Sequence, residues 1–289
     1  MRKLVVLAVA LAATVACGSK HPGSYEAGPG PTPTAAPVGK LEEADALWAQ
    51  RIDGAKLEAA LVAYEAALAE KPGDRHALGR LARGWYFYGD AYSDDSAVKL
   101  ERWGKAIEFG TKCLSVNPEI ASRLASGQKE KDAIGAATKE DVPCIYWTSS
   151  ALGKWAKMKG LPTTLRHLDT VKGYMSKVEE LEPSYFYFGP GRYWGAYYSA
   201  VPVGKDLTKS GDYLAASVQG APNYLGTRVI RAEFLATAKQ DPKLFTEELE
   251  AVIAADPTVD PDIVAENTRE QEKAKKLLAR KADLFANAE

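Results

Sequence analysis

Apolar residues recur along most of this chain at the i, i+3, i+4, i+7 spacing that is typical of one-sided helices. Ala44, Leu47 and Trp48 form such a stripe in a first predicted helix, Leu41 to Ile52. A second predicted helix, Lys56 to Glu70, has the same pattern. Its apolar positions are Leu57, Ala60, Leu61, Tyr64 and Leu68. Together the two stripes predict a hairpin of two helices packed face to face.

A fixed spacing within the second predicted helix of each pair recurs along the chain. Ala60 is followed by Tyr64, then by Ala67, and finally by Pro72. The same spacing ends again at Pro118, Pro183, Pro222 and Pro257. It is typical of the second helix of a tetratricopeptide (TPR) repeat, in which small residues let helices approach closely and proline ends the helix. The sequence therefore predicts an all-α, TPR-like solenoid of helical hairpins.

The predicted array is irregular, because most intervals between these prolines exceed the roughly 34 residues of an undecorated TPR repeat. The extra residues are predicted around Tyr92 to Val98 and from Glu119 to Val142. Insertions in a solenoid map to loops or extra turns on one face, which is often the binding face. The charged stretch Asp262 to Ala288 is predicted to form a C-terminal capping helix.

Residues 1–16 have the pattern of a signal peptide, with positive Arg2 and Lys3 before the apolar stretch Leu4 to Ala13. That stretch is shorter than the roughly 20 residues that span a bilayer. Cys17 follows a small-residue cleavage site and resembles the lipidated cysteine of a bacterial lipobox, although Thr14 departs from the usual leucine. A secreted protein with an unmodified cysteine is the alternative.

Three regions follow from this reading. They are the signal peptide at 1–16, a lipidated Cys17 with a Pro/Gly-rich linker at 17–40, and a helical domain at 41–289. Because the linker cannot bury a core, it is expected to act as a semi-extended spacer. Gly18 after the cysteine favours the periplasm-facing leaflet of the outer membrane in a Gram-negative bacterium.

Charge and the inventory of reactive side chains narrow the possible functions. The formal net charge is −1, and no basic stripe suits a phosphate backbone, so nucleic acid is not expected as a partner. The three histidines form no cluster with metal-ligand spacing, so no metal site and no cofactor are predicted. Because catalytic signatures are missing as well, the protein is not expected to be an enzyme.

Cys113 and Cys144 flank the predicted insertion, and in an oxidising compartment they can form a disulfide bond. Such a bridge would close a loop of about 30 residues and contribute about 3–4 kcal/mol in the chain-entropy model. Two buried thiols are the equally acceptable alternative.

Aromatic residues are concentrated in the predicted first helices of repeats three and four, which in TPR arrays line the concave face. Rings with a polar edge suit an apolar ligand that has a polar end, and Arg192 would orient that end. The alternative is that these rings fill the core. The candidate ligand-binding residues are Tyr146, Trp147, Arg192, Tyr193, Trp194 and Tyr197.

Three segments carry a family resemblance that covers roughly residues 80 to 285. They are Glu140 to Thr148, Gly191 to Tyr198 with Gly204 to Leu207, and the tail from Ala232 through Phe245 and Pro257 to Asn267. These segments resemble the T component (TatT) of TPR-associated TRAP transporters.

The resemblance implies a periplasmic, lipid-anchored, all-α accessory protein. Such a protein associates with the substrate-binding P component and holds or passes an apolar small molecule through a channel. A TPR lipoprotein scaffold for assembly of a cell-envelope complex is the alternative. Homo-oligomerisation is left open by the sequence.

Overall fold

The computed structural model describes residues 21–24, 38–201 and 203–285. All regular structure in these residues is helical, with no strand among them, which confirms the all-α prediction. Residues 1–20, with the predicted signal peptide and Cys17, lie outside the described part, so the lipidation of Cys17 stays a prediction.

Successive helices pack as antiparallel hairpins, in the order that the apolar pattern predicts. The first two hairpins are α1 (Val38–Trp48) with α2 (Gly54–Glu70), and α3 (Arg75–Ala91) with α4 (Ser96–Leu114). The next two are α7 (Val142–Lys159) with α8 (Leu161–Leu181), and α9 (Tyr185–Ala200) with α10 (Leu207–Gly220). The short helices α5 (Pro118–Ala125) and α6 (Glu130–Ala133) lie between α4 and α7.

The last hairpin begins with a segment in which the helix type changes. It runs as α11 (Gly226–Ile230), a π-helical stretch (Arg231–Ala236) and α12 (Thr237–Lys239), and it packs against α13 (Pro242–Ala254). The chain ends with α14 (Val264–Ala279) and α15 (Lys281–Leu284).

Aspartates begin several of the long helices, because a side-chain oxygen accepts the first free backbone N–H groups. Asp53, Asp74, Asp95 and Asp206 all cap in this way. The prediction that each repeat proline ends a helix is wrong for Pro118, since α4 has already ended at Leu114 and Pro118 lies in the first turn of α5. Proline suits that position because the N–H it lacks would have no helical partner there.

The predicted insertion is held tightly against the array. Asp141, which is fully buried, accepts hydrogen bonds from Arg75 Nη1 at 2.6 Å, Asn117 Nδ2 at 2.7 Å and the Thr138 backbone N–H at 2.9 Å. A disulfide joins Cys113 of α4 to Cys144 of α7, with their Cα atoms 5.6 Å apart. Both ends of the insertion are therefore attached where α4 packs against α7.

The C-terminal helix α14 does more than cover the last repeat, because it also contacts the first two. The Glu266 carboxylate lies between Arg51 Nη2 at 2.8 Å and Arg83 Nη2 at 2.7 Å. Lys276 on the same helix pairs with Asp94 at 2.8 Å. The ends of the array thus meet, and the hairpins form a closed arrangement around an interior space.

Candidate ligand cavity

A cavity of about 190 Å³ lies inside the closed arrangement, between α3, α7, the start of α9 and α14. One part of its wall is aromatic and the rest is charged. The aromatic residues are Tyr86, Phe87, Trp147, Phe186 and Tyr224. The charged residues include Arg83, Asp90, Glu266, Glu270 and Lys273.

Four rings from four different segments form a continuous aromatic wall. The Trp147 ring centroid lies 4.6 Å from that of Phe186 and 5.3 Å from that of Tyr86. Phe186 also contacts Tyr224, at 5.4 Å between centroids. These distances fall in the range of favourable edge-to-face contacts, so the rings hold one another in place.

Phe186 reaches the cavity because the backbone at the start of α9 turns left-handed. Phe186, Tyr187 and Phe188 have φ values of 44°, 58° and 59°, which side chains with a Cβ rarely adopt. Such backbone costs about 1–3 kcal/mol per residue and persists only where surrounding contacts require it. The start of α9 at Tyr185 to Phe188 is thus a turn built from aromatic residues.

Arg192 supplies the contacts that hold this turn. Its buried guanidinium donates to the carbonyl oxygens of Phe186, at 2.9 Å, and Tyr187, and to the Tyr146 hydroxyl at 3.1 Å. Its Cζ atom also lies 4.2 Å from the Tyr224 ring centroid. The sequence assigns Arg192 to a ligand, whereas in the structure its donors face backbone and a hydroxyl group.

Most of the predicted ligand-binding residues belong to the core rather than to the cavity wall. Trp147 lines the cavity. Tyr146 and Trp194 are buried in the core cluster that contains the α4–α7 interface, and Tyr193 and Tyr197 pack against the edge of that cluster. An added Cβ at Gly189 would come within 2.5 Å of the Tyr146 ring, which shows how closely this part of the core is packed.

Phe186, Tyr224 and Tyr86 line the cavity but are not among the candidate residues named from the sequence. The run Trp85 to Tyr88 covers every side of a helix, so some members had to face away from the hairpin core. Tyr86 and Phe87 of this run line the cavity. No local signal distinguishes Phe186 from its neighbours, because its position depends on Arg192 and on the left-handed turn.

Most charged side chains of the wall form ion pairs, and one carboxylate has no such partner among the described residues. Asp90 pairs with Lys154, and Lys273 Nζ lies 2.9 Å from Glu233 Oε2. Glu270 Oε2 is buried without a hydrogen-bond partner among the described residues. Burial and the neighbouring Asp90 carboxylate raise the pKa of Glu270 above its usual value. Glu270 is therefore available to a hydrogen-bond donor that enters the cavity.

Metal-binding clusters and membrane-spanning helices are both missing from the described residues. Among the described residues, no group of three or more His, Cys, Asp or Glu side chains is placed to bind a metal ion. Within the same residues, every helix is too short or too polar to cross a bilayer.

A closed array of helical hairpins around a cavity of mixed polarity defines an all-α protein with a cavity between its helices. A family model described as TRAP transporter T-component matches residues 51–285, so the chain belongs to that family. T components are accessory parts of TRAP transport that associate with the other components of the transporter at the cell envelope. A search of curated proteins returned no match.

Proposed function

We propose that this protein is the lipid-anchored, periplasm-facing T component of a TRAP-type transport system. In this role it associates with the substrate-binding P component and holds a small molecule in its interior cavity. The cavity is the observation that carries the proposal, because it joins an aromatic wall to an unpartnered carboxylate in a member of the T-component family.

The size of the cavity limits the ligand to a compact molecule. Its volume of about 190 Å³ lies below the roughly 300–1,000 Å³ of sites for drug-sized ligands. The rings of Trp147, Phe186 and Tyr224 suit an apolar body. Glu270 suits a hydrogen-bond donor at the other end, because a buried carboxyl group without a partner gains most from one.

Calorimetry with a matched pair of ligands tests the proposed polarity. 2-Phenylethylamine carries an apolar ring and a donor group, and phenylpropionate replaces the donor by a carboxylate. We expect the amine to bind more tightly, because its ammonium group faces Glu270 and the carboxylate would be repelled. Glu270→Gln should remove most of that preference, whereas the exposed Glu250→Gln should leave it unchanged.

The aromatic wall has its own test. Phe186→Ala should weaken binding of the amine by about tenfold, which corresponds to about 1.4 kcal/mol. Phe109→Ala serves as the control, since this half-buried ring packs on the core away from the cavity. Equal affinities for both ligands in all variants would contradict the proposed site.

The proposed partner and anchor are tested in the native host. The protein extracted from membranes should carry a diacylated Cys17, and a solute-binding protein should be recovered with it after cross-linking. Recovery of envelope-assembly proteins without a solute-binding protein would contradict the transport role and favour the scaffold alternative.

A further inference from the structure

Four residues of the predicted spacer are packed on the helical body, which differs from the expectation of a spacer that is free throughout. We name His21 to Ser24 the His21 clip. His21 is 8% exposed and lies between α6 and α8. Its Nε2 atom is 2.8 Å from Glu130 Oε2 on α6, and its ring centroid is 5.3 Å from that of His167 on α8.

The two ring nitrogens of His21 both face acceptors. Nδ1 lies 2.7 Å from the Pro22 carbonyl oxygen, and Nε2 faces the Glu130 carboxylate. Only the protonated ring donates from both nitrogens. Although burial favours the neutral ring, the hydrogen bond to Glu130 and its charge raise the pKa of His21. The contact is therefore a charge-assisted one in a largely water-excluded position.

The rest of the clip also requires its particular sequence. Gly23 has φ +70°, and a Cβ there would lie 2.5 Å from the Glu108 Cα atom of α4. Only glycine fits both this backbone conformation and this close approach. Ser24 Oγ donates to the His21 carbonyl oxygen at 2.8 Å and closes the turn. Three residues thus make three different specific contacts, which distinguishes the clip from a chance contact of a linker.

The clip shortens the tether to the predicted anchor. Only Gly18, Ser19 and Lys20 separate Cys17 from His21. At 3.3–3.6 Å per residue, this segment reaches at most about 14 Å. Without the clip, the chain from Cys17 to the start of α1 at Val38 would reach roughly 70 Å. The clip therefore decides whether the body lies at the membrane or far from it.

An exposed apolar corner lies near the clip along α8, where Leu165 is two residues from His167. Leu161 and Leu165, one turn apart on α8, are 57% and 55% exposed, and Met158 at the end of α7 is 38% exposed. Lys159 and Arg166 are exposed beside them. Apolar side chains flanked by basic ones suit the interface of a membrane with anionic lipids. We name these five residues the α7–α8 corner.

We propose that the His21 clip holds the lipid-anchored N-terminus against α6 and α8, so that the α7–α8 corner lies on the membrane surface. This proposal rests on the lipidation of Cys17 in the proposed function. It gives the protein one fixed orientation at the membrane.

Quenching by lipids tests this orientation in the full-length lipoprotein. The protein is reconstituted into vesicles of phosphatidylethanolamine and phosphatidylglycerol that contain a nitroxide-labelled lipid. A bimane probe is attached either at Leu165→Cys or, as the matched control, at Val62→Cys, where the native side chain is 61% exposed on α2. We expect several-fold stronger quenching at position 165 than at position 62.

Two independent variants remove the clip. His21→Ala takes away the contact with Glu130, and Gly23→Val prevents the approach to α4. Both should reduce the difference between the two probes, with an unchanged helical circular-dichroism signal. Gly39→Val is the control, because a Cβ there meets no atom within 4 Å.

The outcomes separate this inference from the function on which it rests. Mass spectrometry of the same sample reports whether Cys17 is lipidated, and an unlipidated Cys17 would overturn both. A lipidated protein with equal quenching at positions 62 and 165, or with a difference that survives both clip variants, would overturn the orientation alone.

Discussion

Replacing Glu266 by glutamine tests whether charge holds the two ends of the helical array together. The Glu266 side chain is 6% exposed and bridges two guanidinium groups, those of Arg51 and Arg83. Glutamine keeps the shape and one acceptor but leaves both buried cations without a counter-charge. Breaking a buried ion pair by removing one partner costs about 3–5 kcal/mol. We expect a loss near the lower end of this range, about 3 kcal/mol, because the amide oxygen retains one hydrogen bond.

The pH dependence of the difference follows from the pKa of Glu266. Burial opposes its charge, but Arg83 and Arg51 outweigh burial and lower the pKa below its usual value. A carboxyl group with a depressed folded pKa contributes stability above its unfolded pKa of about 4.3, and this contribution is lost as the pH falls through the folded pKa. The stability gap between wild type and Glu266→Gln should therefore shrink as the pH falls below about 4.

Urea unfolding followed by tryptophan fluorescence measures this gap. Trp48 reports on the site, because the guanidinium carbons of Arg51 and Arg83 lie 5.1 Å and 5.2 Å from its ring centroid. Glu250→Gln, on the exposed face of α13, should change stability little. A loss below about 1 kcal/mol at neutral pH, the size expected of an exposed pair, would refute the reasoning that these charges close the array.

Three further substitutions test other parts of the structure. Changing Cys113 and Cys144 together to serine should lower stability by about 3–4 kcal/mol in the chain-entropy model. An unchanged urea midpoint would contradict a formed disulfide, and so would the detection of two free thiols in the native protein. Arg192→Met should release the left-handed turn at Phe186 and lower the free energy of unfolding by about 2–3 kcal/mol. Faster hydrogen exchange at the start of α9 would report this release, and protection equal to wild type would contradict the role assigned to Arg192. Ala60→Trp should overpack the α1–α2 interface, where Ala60 is fully buried, and lower stability by about 1–3 kcal/mol; an unchanged melting temperature would show that this position tolerates volume.

Features that depend on a few neighbouring residues could be predicted from the sequence. The helix predicted from Lys56 to Glu70 is observed as Gly54–Glu70, because its apolar stripe and its Asp53 cap are local signals. Pro118 shows the limit of such signals. Proline is favoured both after a helix and in its first turn, so the residue alone does not say which of the two it marks.

The cavity and its wall were decided by tertiary structure. The Glu266 carboxylate meets Arg51 across a separation of 215 residues, and no periodicity in the sequence predicts a contact of that range. Tertiary contacts also decide which aromatic residues lie at the cavity. Tyr146 and Trp147 are adjacent and both are buried in one core cluster, yet of the two only Trp147 also lines the cavity.

The physical reason is that amphipathic periodicity states which face of a helix is buried but not what buries it. In an open solenoid, the concave faces of the first helices would meet solvent or a ligand. Here α14 returns to the first two hairpins, and the left-handed turn places Phe186 against Trp147. The sequence by itself determined the helices and their pairing, whereas closure of the array decided which of their side chains line the cavity.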